Sequence, residues 1–466
     1  VSRLIMISNR VQLPSSGGNQ GGLAVALQAA LRDKGGIWFG WSGETTEQFT
    51  GEIHYREANG VTTATIDLEQ QDVDEYYDGF ANRTLWPLFH YRIDLTEFER
   101  DFNSGYARVN RRFAETVGPL IEADDLVWVH DYHMIPLGAE LREQGCANRI
   151  GFFLHIPWPP ADMLLSLPSH RELVEALFAY DVVGFQTQDW LDSFLHYVER
   201  QLGGTIAEDG TVTVGERSVR VFADPIGIET ASFEEAAAAA PARHAQERMY
   251  MSATGRTLIV GVDRLDYSKG LEERFLGFER FLSLHPDFRG LVYMLQIAPP
   301  SRENVETYRA IRAGLDALSG RINGEYSDMD YVPIRYVNKG FARDVLAGIY
   351  RAARICLVTP LRDGMNLVAK EYVAAQDPAD PGVLILSSFA GAAAQLKDAL
   401  LVNPYSPEEI ADAIAQALAM PRAERVARWE KMIDIVRRED VTWWCNRFLD
   451  MLEREPAPRA PLHQLG

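Results

Sequence analysis

The sequence predicts an α/β protein in two domains, each built on a largely parallel sheet, and three observations carry that prediction. The short apolar runs are continuous rather than alternating, helical stretches separate them, and polar residues follow them. Continuous apolar character suits strands buried on both faces, as in a parallel sheet covered by helices. In open α/β sheets ligands bind beyond the carboxyl ends of the strands, so residues that follow the runs are the functional candidates. At 466 residues the chain exceeds one ordinary core, and two domains are expected.

The first run, Leu4–Ile7, closes in Asn9-Arg10. Arginine offers a planar fork to a phosphate, although a single arginine is equally at home as an exposed surface residue. A glycine-rich loop, Val11–Gln20, leads to Gly21-Gly22, and a helical run starts at Leu23. The backbone at Gly22 can approach a phosphate or sugar closely, while a plain turn is the commoner use of such a pair. The spacing is not G-x-G-x-x-G, which argues against a dinucleotide dehydrogenase. Trp38, Trp41, Tyr76, Tyr77 and Trp86 gather early in the sequence. Aromatics beside polar loops can wall a sugar, and they serve core packing as readily. The runs Leu126–Val129 and Gly151–Leu154 close in His130-Asp131-Tyr132-His133 and His155-Ile156-Pro157. His and Asp at consecutive strand ends suit hydroxyl recognition. A metal reading lacks a third ligand, and a lone histidine is more often a hydrogen-bonded core residue. Val182–Phe185 follows and closes in Gln186.

A domain boundary is expected near residue 235, after D-P-I-G-I-E and inside the alanine-rich stretch Glu234–Ala242, whose composition favours helix. A fresh set of runs then begins: Leu258–Val262, Leu291–Ile297, Ile334–Val337, Ile355–Val358 and Val383–Leu386. Arg264 and Lys269, in V-D-R-L-D-Y-S-K-G, stand between a strand and a helix. Fixed cations there would stabilise charge growing on a diphosphate. An ion-paired surface cluster with Asp263 and Asp266 is the alternative, and the strand-end position favours the site. Arg302 follows I-A-P-P-S and suits a phosphorylated acceptor, or plain exposure.

The most informative stretch is Thr359–Glu371, T-P-L-R-D-G-M-N-L-V-A-K-E. It reads as strand, tight turn and helix start at Leu367, which gathers backbone N–H groups at the positive end of a helix dipole. That is a site for an anion such as a diphosphate. Asp363 before the helix and Glu371 within it suit sugar or ribose hydroxyls rather than phosphate. Ser406-Pro407-Glu408-Glu409 is a helix start, with a cap, a first-turn proline and acids near the positive end. The tail from Pro456 is Pro-rich and expected to fray.

A formal net charge of −20 argues against general binding to nucleic acid or anionic membranes. Three cysteines without paired spacing imply neither a disulfide framework nor a zinc site. The opening residues are too short an apolar run for a signal peptide, and no segment is long enough to cross a bilayer. A cytoplasmic location is expected.

Together these residues resemble the trehalose-6-phosphate synthases, retaining glycosyltransferases of the GT-B architecture, in which two Rossmann-like, doubly wound domains face each other across a deep cleft. The resemblance runs from S-N-R at Ser8 through G-G-L, W-F-G-W-S-G, D-E-Y-Y, L-W-P, W-V-H-D-Y-H and G-F-F-L-H-I-P. It continues through P-I-G-I, R-L-D-Y-S-K-G, Q-I-A-P, R-I-N-G, T-P-L-R-D-G-M-N-L-V-A-K-E-Y-V-A and F-A-G-A-A, to about residue 450. It implies transfer of glucose from UDP-glucose to glucose 6-phosphate with retention, by attack on the face the diphosphate leaves, with no metal or other cofactor. Arg264, Lys269, His155 and Asp131 become the catalytic set. The implied donor contacts are Gly22, Arg264, Lys269, His155, Phe341, Asp363, Leu367, Val368 and Glu371, with Phe341 near the base and Glu371 on the ribose. The implied acceptor contacts are Arg10, Tyr77, Trp86, Asp131 and Arg302. An acceptor domain over 1–235 and a donor domain over 236–439 are implied, with a C-terminal helix in 440–466 returning to the first. Family habit allows a homodimer or tetramer. The segment W-P-P-A-D-M and the loop 11–20 depart from the family pattern without touching these residues. The rivals are a sister transferase acting on glycerol 3-phosphate and a silent sugar-phosphate sensor. The aromatic set and Asp131 favour a sugar-sized acceptor, and Arg10, Arg264, Lys269, Asp363 and Glu371 are all present, as a sensor would not require.

Overall fold

A computed structural model describes residues 2–11, 27–28, 31–32, 34–58 and 60–455. Gly22, most of the loop 11–20, the helical run at Leu23 and the tail from Pro456 lie outside the described residues.

The described residues form sixteen strands in two sheets. In chain order they are β1 (Leu4–Arg10), β2 (Gly36–Thr46), β3 (His54–Ala58), β4 (Val61–Glu69), β5 (Leu126–His130), β6 (Ile150–Phe153), β7 (Val182–Phe185), β8 (Thr205–Ile206), β9 (Thr211–Val214), β10 (Arg217–Ala223), β11 (Thr257–Val262), β12 (Val292–Ile297), β13 (Ile334–Val337), β14 (Ile355–Val358), β15 (Val383–Ser387) and β16 (Leu400–Val402). Every apolar run picked out in the sequence is a parallel strand within these.

The first sheet has the order β3-β4-β2-β1-β5-β6-β7-β10-β9-β8. Its parallel members, counted along the chain, run 3-2-1-4-5-6-7, and β3, β8 and β9 complete the edges as antiparallel ribbons. The second sheet, β13-β12-β11-β14-β15-β16, runs 3-2-1-4-5-6 and is parallel throughout. Both therefore have the Rossmann order. In each, the strand order reverses beside the first strand, between β1 and β5 or between β11 and β14. A crevice opens at such a switch point, because the connections on either side leave in opposite directions.

The chain divides into two compact units, one holding residues up to Pro225 together with those from Thr442, the other Ile226–Val441. The change of unit thus falls at Pro225/Ile226, not near residue 235. The alanine-rich segment belongs wholly to the second unit, as helices Thr230–Ala238 and Ala240–Ala253. Ala237 O accepts from Arg351 Nη1 at 3.0 Å, and Ser232 Oγ from Arg343 Nη1 at 3.2 Å. Helix formation by alanine-rich sequence, followed by docking on Arg343–Ala352, moves the boundary upstream.

Helix Val441–Arg454 lies with the first unit from Thr442 onward. Its Phe448 stacks on Trp128 of β5 at 4.2 Å between centroids, and Trp444 meets Phe153 of β6 at 4.8 Å. Gly151 makes this approach possible, since a Cβ there would stand 2.6 Å from the Phe448 ring. In the second unit, Phe275, Phe278 and Phe281 on helix Leu271–Leu284 pack with Ile410 and Ile414 on helix Pro407–Ala419. The Ser406 cap forms as expected, its hydroxyl accepting from Glu409 N at 3.2 Å. Among the described residues no helix is long and apolar enough to cross a membrane.

Candidate active site

At the first switch point, β1 ends in Arg10 and β5 is followed by Asp131. Arg10 is exposed, its guanidinium 5.6 Å from the Trp41 ring. Trp41 meets Tyr77 at 5.5 Å, and Tyr77 stacks on His133 at 6.0 Å. Tyr77 rides on a wide-turned π-type helix, Val73–Leu85, that also carries Tyr76 inward. Tyr76 is fully buried and donates to Asn9 Oδ1 at 2.7 Å, while buried Trp38 donates to Ser8 Oγ at 2.8 Å. Of the early aromatics, these two therefore belong to the core. Trp86 is only 5 % exposed, its ring tilted against His90 at 4.1 Å and Tyr132 at 5.6 Å. Little of its ring reaches the surface.

Asp131 has φ +75°, a left-handed conformation unusual for a residue with a Cβ. It lets Asp131 link two strand ends. Its N–H donates to Phe153 O at 2.9 Å, and its Oδ1 accepts from His155 N at 3.2 Å. Both ring nitrogens of His155 are engaged, Nδ1 with Gln186 Nε2 at 3.3 Å and Nε2 with His130 Nδ1 at 3.1 Å. A ring contact to substrate must replace one of these bonds. Burial drives the His155 imidazole down to about 3, so it is neutral at pH 7. The unfolded chain takes up that proton near pH 6.5 and the folded chain does not until about pH 3. Stability is then lost as pH falls between those values, by at most about 1.4 kcal/mol per pH unit for this group. Urea unfolding at pH 7 and pH 5 will show a smaller difference in His155→Gln than in the wild type.

At the second switch point, Asp263–Gly270 follows β11 and Thr359–Asn366 follows β14. The two loops are laced together. Leu361 N donates to Ser268 O at 2.8 Å, and Arg274 Nε donates to Thr359 Oγ1 at 2.9 Å. Gly270 has φ +61°, and a Cβ there would lie 2.1 Å from Thr359 O, so only glycine fits. Lys269 Nζ reaches Asp363 Oδ2 at 2.5 Å. Asn366, also left-handed at φ +72°, donates to the same oxygen at 3.2 Å and precedes helix Leu367–Ala375. Lys269 thus pairs with Asp363 and not with the neighbouring acids of its own loop. Asp263 turns to the fully buried Arg274 at 2.7 Å. Arg264 is exposed beside them.

Leu367 and Val368 form the first turn of the helix and are partly exposed. Glu371, one turn on, accepts from Tyr350 OH at 3.4 Å, and burial raises its carboxyl above the usual range. Phe341 is half-buried under Lys339 Nζ at 5.3 Å. Arg302, at φ +50°, donates to Tyr308 OH at 2.5 Å and lies 3.6 Å from Asp266. Burial works to raise the Asp266 carboxyl, but Arg302, then Arg264 and Lys269, hold it down at about 2. Within the second unit the structure thus brings Arg264, Lys269, Asp363, Leu367, Val368 and Glu371 to one switch point. Arg302 joins them through Asp266. In the first unit, Asp131 and His155 share one hydrogen-bonded edge, and Arg10 and Tyr77 share the Trp41 face.

Sequence reasoning passed over Arg274, Asn366 and Gln186's bond to His155. A signal for Arg274 existed: it lies on the same helix face as Leu271, Phe275 and Phe278, where a charge must have buried partners. Among the described residues no group of three His, Cys, Asp or Glu is placed to hold a metal ion.

A lysine, carboxylates and a helix N-terminus at one switch point suit a nucleotide sugar, and two Rossmann-ordered sheets in one chain, matched by solved relatives, are the architecture of a GT-B glycosyltransferase. The glycosyltransferase family 20 profile matches residues 8–454. The chain belongs to glycosyltransferase family 20. It is 51 % identical to the trehalose-6-phosphate synthase of Sinorhizobium fredii, over 97 % of this chain and 98 % of that one. The Burkholderia xenovorans UDP-forming α,α-trehalose-phosphate synthase, solved in complex with glucose-6-phosphate, is 48 % identical. It superposes with a TM-score of 0.94 over 97 % of this chain and 100 % of that one. A structure from E. coli bound with UDP-2-fluoro glucose is 44 % identical, with a TM-score of 0.94 over 98 % and 100 % of the two chains.

Proposed function

We infer that this chain transfers glucose from UDP-glucose to O1 of glucose 6-phosphate, giving α,α-trehalose 6-phosphate and UDP with retention at the anomeric carbon. The convergence of Lys269, Asp363 and the first turn of helix Leu367–Ala375 on one switch point carries the donor half of this reading. Relatives solved with UDP-2-fluoro glucose and with glucose-6-phosphate support the choice of substrates.

Lys269, Arg264 and the N–H groups at Leu367 and Val368 receive the diphosphate, with Gly22, outside the described residues, as a further donor contact. Phosphate binding competes with Asp363 for Lys269 and frees that carboxylate for a glucose hydroxyl. Glu371 grips the ribose, Phe341 lies near the base, and His155 holds a donor hydroxyl. On the acceptor side, Arg10 and Arg302 meet the 6-phosphate, Tyr77 and Trp86 wall the sugar, and Asp131 holds its hydroxyls. The first unit is then chiefly the acceptor domain and the second the donor domain. In the reaction the bond from the donor's anomeric carbon to the β-phosphate oxygen breaks and the bond to the acceptor's O1 forms on the same face. The acceptor's proton passes to the departing phosphate oxygen. Lys269 and Arg264 stabilise the charge that grows there.

No step in this scheme calls for a metal or another cofactor. EDTA is expected to leave turnover within about twofold, and a loss restored by one divalent ion would overturn that part of the scheme. The function is tested by offering UDP-glucose or GDP-glucose with glucose 6-phosphate, glycerol 3-phosphate or no acceptor. Nucleoside diphosphate release is followed and the product identified by NMR. A non-reducing α,α-linked disaccharide phosphate is the expected product. Turnover with glycerol 3-phosphate alone would reassign the acceptor. Binding without turnover in every pair would point to a sensor. We also place the protein in the cytoplasm.

A further inference from the structure

One residue before Glu371, helix Leu367–Ala375 carries a lysine that the scheme above does not use. Lys370 is 1 % exposed, and its Nζ donates to Ile226 O at 2.7 Å. Ile226 is the first residue of the second unit after the chain leaves the first at Pro225. The chain returns to the first unit after Val441, and the segment leading to that return lies against the incoming one. Val441 N donates to Ile228 O at 3.1 Å, and Thr230 Oγ1 donates to Val436 O at 2.8 Å. Gly227 sits so tightly on Asp440 that a Cβ would stand 2.3 Å from its carbonyl carbon. Glu439, beside it, accepts from Gln395 Nε2 at 2.5 Å and attracts the Lys370 ammonium. One buried side chain therefore joins the helix that begins at Leu367 to the incoming segment, which is itself hydrogen-bonded to the outgoing one, whose Glu439 attracts the ammonium.

Packing alone does not explain a lysine here. Burial drives the amine down to about 7, with only Glu439 opposing, and an apolar residue of similar length would avoid that cost. We propose that Lys370 is a positioning residue for the transfer reaction, tying the donor-binding helix to segments 226–230 and 436–441 so that filling the donor site orders both. The proposal rests on the donor role given above to Leu367, Val368 and Glu371.

The test uses the full chain and UDP as the probe. In the wild type, UDP is expected to slow amide hydrogen exchange across 226–230 and 436–441. Lys370→Met should bind UDP within about threefold of the wild type, since no donor contact is removed. It should lose the slowing at both segments, and kcat should fall about tenfold or more with KM for glucose 6-phosphate little changed. Glu439→Gln should show a weaker form of the same behaviour and carries the test if Lys370→Met does not fold. Unchanged exchange responses and kcat in the folded variants overturn the proposal. So does a parallel loss of UDP affinity and kcat, which would make Lys370 part of the donor site itself. A wild type that binds no UDP sinks the donor assignment, whereas normal wild-type binding with an indistinguishable variant sinks only the tie.

Discussion

Lys269→Ala is expected to lower kcat by about 10²–10³ while the protein keeps its fold, and Arg264→Ala to act in the same direction. The ammonium of Lys269, held on Asp363 at 2.5 Å, passes to the diphosphate when the donor binds, so it is already in place as the diphosphate departs. The charge it meets is greater in the transition state than in bound UDP-glucose. The loss should therefore fall on kcat more than on KM for the donor. The fold should survive because Asp363 keeps the Asn366 amide at 3.2 Å and Arg264 is exposed. Steady-state kinetics paired with thermal unfolding will separate the two effects. Normal turnover in both variants would remove the charge-stabilisation mechanism.

Arg302→Ala is expected to raise KM for glucose 6-phosphate by about 10- to 100-fold, the worth of one charge-assisted phosphate contact. KM for UDP-glucose should change little. Arg302 donates to Tyr308 OH at 2.5 Å and lies 3.6 Å from Asp266, so its guanidinium is placed by these two groups rather than by the Lys269–Asp363 pair. Unphosphorylated glucose, offered as a poor acceptor, should not distinguish the variant from the wild type. An equal loss for donor and acceptor would reassign the residue to the diphosphate. Tyr308→Phe should give a milder form of the same defect, because it removes only the hydroxyl that orients the fork.

The parts of the fold legible in the sequence are those where burial on both faces forces a continuous apolar run. Ile355–Val358 and Val182–Phe185 could hardly be read otherwise, and the helix Leu367–Ala375 starts where the turn before it predicts. The strands that escaped notice do not meet that condition. β4, V-T-T-A-T-I-D-L-E, alternates between buried and half-buried positions and is rich in threonine. β2 carries tryptophans and glycines that drew attention as possible ligand walls rather than as strand. β9 and β10 form an edge ribbon whose outer face stays wet. The site divides in the same way. Lys269 and Asp363 are visible because they stand between a strand and a helix, and Glu371 because it lies one turn into the helix that follows. Arg274 was not, because its role depends on Gln296 and Thr359, which only the folded sheet brings within 2.9 Å. The Asp131 conformation was also beyond reach, since its positive φ arises from bonds to residues some twenty positions later.

The described part of the second unit is one unbroken stretch, 226–441, set between two pieces of the first. During synthesis the ribosome therefore hands over all of the second unit before it delivers the helix that finishes the first. Trp444 and Phe448, which seat beneath β5 and β6, are among the last described residues to emerge. A nascent chain can thus hold a finished second unit while the unit that holds Asp131 and His155 still lacks its floor. A chain cut after Val441 would spare the second unit and leave the first without that floor.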